Sequence, residues 1–194
     1  MAMAGMRIGL LGGSFDPPHA GHLHITRRAL RRFHLDQVWW VVSPGNPLKP
    51  DAPAAMERRM AACRALAAHP RVRVTDMEAR LGTRYTADTL RRIGALYPGV
   101  RFVWLMGADN LASFHRWEHW RDIMERVPIG VLARPGGQVA AGLSPAARAY
   151  ARFRIPSEAA QGLALMKPPA WVLMSGPMVG VSSTALRRAG HWRR

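Results

Sequence analysis

Cysteine is almost missing from this chain of 194 residues: Cys63 is the only one, so no disulfide can form within it. It lies in a helical-looking segment, Met56 to Ala68, and reads as a small buried side chain. Lysine is nearly missing too. Of 28 basic residues only Lys49 and Lys167 are lysine. Acidic residues number just 12, which leaves a net charge of +16. Long hydrophobic runs are also lacking, since none approaches the roughly 18–20 residues that a membrane helix needs. The short apolar stretch at the N-terminus runs straight into a glycine loop that cleavage would destroy, so the expected location is the cytoplasm, with no membrane partner.

A charge of this size first suggests nucleic acid. The distribution argues otherwise. Arginine pairs at 27–28, 31–32, 58–59, 91–92, 187–188 and 193–194 are scattered over several helical segments. With abundant Ala, Gly and Pro around them, they read as solvated faces and compositional bias, and a nucleic-acid-binding module is the remote alternative. The positive field still attracts small anions.

What is present is a globular composition, 48% hydrophobic and 21% charged, of a size suited to one domain. Apolar, β-branched and aromatic runs predict strands at 6–11, 37–43, 71–75, 101–106, 129–133 and 170–174. Between them, helices are expected at 20–33, 53–68, 86–96, 110–115, 120–126 and 182–189, with two short helical pieces in 144–166. Residues 136–144 read as the least structured stretch. Alternating strands and helices imply an α/β fold: a single Rossmann-like domain over 1–194, its core at about 6–190, with a mostly parallel sheet and helices on both faces. Ligands on such sheets bind beyond the carboxyl ends of the strands, where strand order reverses. The loops 12–18, 44–50, 107–110, 134–137 and 175–183 all follow strands and are expected on that edge.

The first of these loops is the most informative. Gly12-Gly13-Ser14-Phe15-Asp16-Pro17-Pro18 follows a buried strand and enters a helix carrying His19, Gly21 and His22. Glycines let backbone N–H groups approach an anion, and a helix N-terminus adds donors and a favourable dipole. His19 and His22 share one helix face and can donate to phosphate oxygens. A glycine pair or one such histidine is common; the combination is specific to a phosphate site. A second cluster, Val181-Ser182-Ser183-Thr184-Ala185-Leu186-Arg187, sets hydroxyls at a helix start with an arginine one turn later. Capping explains the serines; a polyphosphate clamp explains them together with Arg187. Lys49 stands alone between prolines in the loop 44–50, and Arg134 follows a strand at the ligand edge.

The first stretch resembles the nucleotidyltransferase superfamily with the fingerprint G-G-x-F-x-P-x-H-x-G-H, matched by Gly12, Gly13, Phe15, Pro17, His19, Gly21 and His22. The second resembles that family's I-S-S-T-x-I-R motif, with Val181 and Leu186 in place of isoleucines. The middle of the chain is similar to bacterial nicotinate mononucleotide adenylyltransferases in Gly107–Leu111, Phe114–Trp117, Tyr85-Thr86-x-x-Thr89-Leu90 and Asn46–Lys49. The resemblance runs from about residue 6 to 190 and implies adenylyl transfer from ATP to nicotinate mononucleotide, with Mg²⁺ on the ATP phosphates.

On this reading His19, His22 and Lys49 are the catalytic residues. ATP is held by Gly12, Gly13, Ser14, Phe15, His19, His22, Asp109, Ser182, Ser183 and Arg187. Lys49, Tyr85, Thr86, Trp117 and Arg134 face the mononucleotide, with the Trp117 ring on the pyridine and backbone N–H groups at Tyr85-Thr86 on its carboxylate. The alternative for Trp117 is a core tryptophan; for Trp39, Trp40, Trp104 and Trp120 the reading is core or surface packing. A related transferase acting on nicotinamide mononucleotide or phosphopantetheine fits the two end motifs equally well, and a homo-oligomer is left open. Family members often continue through another helix, whereas four residues follow Gly190 here, so the expectation is either a different closure around the triphosphate or an end supplied by another chain.

Overall fold

Six runs rich in β-branched and aromatic residues form strands: β1 (Arg7–Gly13), β2 (Gln37–Val42), β3 (Val72–Thr75), β4 (Arg101–Gly107), β5 (Ile129–Leu132) and β6 (Trp171–Met174). The structure is a computed structural model that describes residues 2–45, 52–133, 138–176 and 180–192. All strand pairs are parallel, in the order β3-β2-β1-β4-β5-β6. The chain therefore winds outward from β1 in one direction, then restarts at β4 in the other, and the reversal lies between β1 and β4.

The helices are α1 (Ala20–Arg32), α2 (Met56–Leu66), α3 (Met77–Leu81), α4 (Thr86–Leu96), α5 (Ala108–Ser113), α6 (Trp120–Arg126), α7 (Gln138–Gly142), α8 (Pro145–Ala149) and α9 (Ser183–Arg188). Two differ from expectation. The stretch 136–144 contains α7, and α3 occupies a segment in which no helix was predicted. Each is five residues long, too short for a periodic apolar signal. Longer 3-10 structure fills Ser157–Leu165.

Both faces of the sheet are covered, and the strand period of two divides the core between them. Ile8, Leu10, Trp39 and Trp104 pack on one side. Leu11, Trp40, Val103 and Leu105 pack on the other with Phe33 of the α1 C-cap. Trp39, Trp40, Trp104 and Trp171 are all buried, each contributing roughly 4–6 kcal/mol of gross transfer free energy. Cys63 is also fully buried, and desolvation pushes its thiol up to about 12. Gly12 marks where β1 meets the site: a Cβ there would strike the indole of Trp104, so only glycine lets strand and ring close up.

Candidate active site

The start of α1 is built by its two histidines. His19 is the N-cap, and its Nδ1 accepts the backbone N–H of Gly21 at 3.1 Å. His22 Nδ1 accepts the backbone N–H of His19 at 3.2 Å, which completes a reciprocal capping box. Imidazole replaces the usual serine and glutamate. Because each Nδ1 acts as an acceptor, the neutral rings carry their proton on Nε2. The sequence H-x-G-H thus caps the helix through the Nδ1 atom of each ring.

Behind the histidines stands an aromatic wall. Phe15 stacks on Trp40 with ring centroids 5.0 Å apart and lies 4.7 Å from the His22 ring. Trp40 donates from Nε1 to Thr26 Oγ1 at 2.7 Å, and Thr26 Oγ1 donates to the carbonyl of His22 at 2.9 Å. Phe15 reaches this position with φ of 47°, in the left-handed region that ordinary side chains avoid. Strain of this kind persists where the surroundings over-determine it.

A buried arginine fixes the other side of the loop. Arg59 of α2, 1% exposed, donates from Nη1 to the carbonyls of Ser14 (2.7 Å) and Ser43 (2.8 Å), and from Nε to that of Ala54 (2.6 Å). Burial lowers its pKa, while the negative charge of Asp16 works the other way. One guanidinium therefore joins the loops after β1 and β2.

These elements wall a cleft of about 510 Å³ over the carboxyl ends of β1 and β4, where the strand order reverses. Of the residues singled out in the sequence, Gly12, Gly13, Ser14, Phe15, His19 and His22 border one part of it. Asp109 and Trp117 enter from α5 and the turn after it, Tyr85 and Thr86 from the start of α4, and Ser182 and Ser183 from the start of α9. Trp117 packs edge-on to Phe114 and Trp104, half-buried, so it belongs both to the core margin and to the cleft. Trp39, Trp40 and Trp104 are core residues, as expected.

Arg187 engages the first loop. It is not among the residues bordering the cleft; its Nη1 donates to the backbone carbonyl of Asp16, 3.9 Å from that residue's Oδ2, and its Nη2 donates to Thr184. Its side chain ties α9 to the first loop, as does Ser183 Oγ, which donates to the Pro17 carbonyl at 2.8 Å. Lys49 and Arg134 lie outside the described residues.

Three contributors were not anticipated. Arg59 was taken for part of a solvated arginine pair, although its spacing to Cys63 and Ala67 puts it on the buried face of α2. Glu78 of α3 borders the cleft while only 5% exposed, and burial pushes its carboxyl from the ordinary 4.5 up to about 7, against the pull of a hydrogen bond with Thr89. Trp192, an aromatic residue among basic ones, reaches Asp16. Among the described residues no cluster of three His, Cys, Asp or Glu side chains is suited to hold a metal ion, and no helix is long and apolar enough to cross a membrane.

Comparison with known proteins matches residues 10–189 to the family described as Cytidylyltransferase-like. A "Probable nicotinate-nucleotide adenylyltransferase" of Cereibacter sphaeroides is 63% identical over 188 residues, covering 97% of this chain and 100% of the relative. One of the same name from Ruegeria pomeroyi is 61% identical over 191 residues, covering 98% and 90%. A solved structure titled Plasmodium falciparum nicotinic acid mononucleotide adenylyltransferase complexed with NaAD shares the fold with a TM-score of 0.70 at 18% identity, covering 94% of this chain and 83% of that one.

Proposed function

The chain belongs to the cytidylyltransferase-like family of nucleotidyltransferases, and from that premise we propose that it transfers the adenylyl group of ATP to nicotinate mononucleotide. The products are nicotinate adenine dinucleotide and pyrophosphate, a step of NAD biosynthesis. The observation that carries the reading is one cleft bordered by both the histidine-capped start of α1 and the start of α4 beside Trp117.

A phosphate oxygen of the mononucleotide attacks the α-phosphorus of ATP. A new P–O bond forms as the bond to the β-phosphate bridge breaks, and pyrophosphate leaves. No protein nucleophile takes part; catalysis comes from alignment and from neutralising charge. His19 and His22 donate from Nε2 to phosphate oxygens, with Nδ1 held by the backbone in the required tautomer. Asp109 holds the nucleotide, Ser182 and Ser183 border the pyrophosphate end, and Arg187 secures the loop through Asp16. Lys49 and Arg134 remain candidates for the substrate phosphates. Mg²⁺ would enter on the ATP phosphates as part of the MgATP substrate, neutralising their charge. The compartment consistent with these substrates is the cytoplasm.

Acid specificity has its own support. The N-cap of α4, Tyr85, supplies no side-chain cap, so the first N–H groups of the helix suit a carboxylate better than an amide. The face of Trp117 suits a cationic pyridinium. The deciding experiment is pyrophosphate release with MgATP, comparing nicotinate mononucleotide with nicotinamide mononucleotide and phosphopantetheine. Strong preference for the nicotinate is expected; equal or better use of another acceptor overturns the assignment.

A further inference from the structure

Asp16 lies in the loop that leads into His19, and it is 1% exposed. A carboxylate so buried must be matched by donors or cations. Its donors come from two distant parts of the chain. Ala54 N–H, just before α2, reaches Oδ1 at 3.3 Å. From beyond α9, Trp192 donates its indole N–H to the same Oδ1 at 2.6 Å. The Arg187 guanidinium approaches Oδ2. The indole is itself held in place by Arg58 of α2, whose guanidinium carbon lies 4.2 Å from the ring centroid. Trp192 is thus gripped between α2 and the first loop, 176 residues away in sequence from the carboxylate it serves.

We propose that Trp192 is a positioning residue for ATP: its hydrogen bond to Asp16 clasps the segment after α9 onto the loop that presents His19 and His22 to the triphosphate. The proposal rests on reading this part of the cleft as the ATP phosphate site. The clasp acts on one end of the cleft. Asp16 is three residues from His19, and Pro17 accepts from Ser183 at the start of α9, so both clamps converge on the same short loop. The opposite end, formed by Tyr85, Thr86 and Trp117, shares none of these bonds. Loss of the clasp therefore weakens ATP binding and leaves mononucleotide binding intact.

The test uses Trp192→Phe, which keeps a ring beside Arg58 and removes the N–H, together with a chain lacking residues 191–194. A hydrogen bond to a buried charge implies that W192F raises the KM for ATP by about tenfold. The KM for nicotinate mononucleotide should stay within about twofold, Tm should fall by about 3–6 °C, and amide hydrogen exchange over residues 14–22 should quicken while the sheet stays protected. The shortened chain should behave in the same way. An unchanged KM for ATP in both variants overturns the proposal. So does an equal rise in both KM values with faster exchange throughout the sheet, which is the mark of general destabilisation. Absence of turnover in the unaltered protein would instead remove the reaction, and calorimetric ATP affinity of W192F against the unaltered protein then decides the clasp.

Discussion

The rings of His19 and His22 lie with centroids 3.9 Å apart, and each imidazole supports the other's place in the chain. His22 Nδ1 accepts the N–H of His19, while His19 Nδ1 accepts that of Gly21. In the proposed reaction the same residues that cap α1 would also donate from Nε2 to the phosphates, so that one arrangement would serve capping and catalysis. A serine or aspartate cap would hold the helix equally well and would bring no second donor nitrogen to the phosphates.

Replacing His22 with alanine separates these two contributions. Loss of a cap bond costs about 0.5–2 kcal/mol, a modest loss of stability. Loss of a donor at the developing charge costs about 100-fold or more in turnover. Thermal unfolding and pyrophosphate release on H22A should show that disparity. Turnover equal to that of the unaltered protein removes His22 from the chemistry.

Arg59 is the stability counterpart. Substitution by methionine preserves much of the buried volume but strips donors from the carbonyls of Ser14, Ser43 and Ala54. Unsatisfied buried acceptors cost about 1–3 kcal/mol each, so a loss of at least about 3 kcal/mol is expected. For a chain of this length that corresponds to a fall in Tm on the order of 10 °C. Calorimetry on R59M checks it, and R59K, with a charge but no fork, should fall between. A Tm unchanged in both variants would show that the three carbonyls find other donors.

The sequence made the scaffold legible because its strands are long apolar runs with turn residues at their ends. All six stand where Met6–Leu11, Gln37–Ser43, Arg71–Thr75 and the later runs put them, and the reversal between β1 and β4 brings together loops far apart in the chain. The cleft residues His19, His22 and Ser183 were visible because turn chemistry and spacing are local properties, whereas Asp109 was singled out only through the family resemblance of Gly107–Leu111. Arg59, Glu78 and Trp192 were not, since Arg59 and Trp192 matter through partners 45 and 176 residues away and Glu78 through burial in a short element. Arg187 shows the same limit: its position one turn into α9 was readable, but its engagement with Asp16 depends on how α9 docks.

Glu78 ties stability to pH in a direction opposite to that of a paired surface carboxylate. Burial raises its folded-state pKa to about 7, above the 4.5 of an exposed glutamate. Below about 4.5 both states hold the proton and the residue contributes no pH dependence. As pH rises from 4.5 toward 7 the unfolded chain releases its proton while the folded protein retains it, so unfolding becomes progressively more favourable. The loss totals about 3 kcal/mol and levels off above pH 7. Glu78→Gln carries no such proton, and keeps a group able to hydrogen-bond Thr89. Urea denaturation of both proteins at pH 5, 6, 7 and 8 should therefore show E78Q gaining on the unaltered protein across the first three points and holding its advantage at the last. A constant difference from pH 5 to 8 would mean that Glu78 ionises as easily in the folded cleft as in water, and that its neighbours around α3 and α4 stabilise the carboxylate more than burial opposes it.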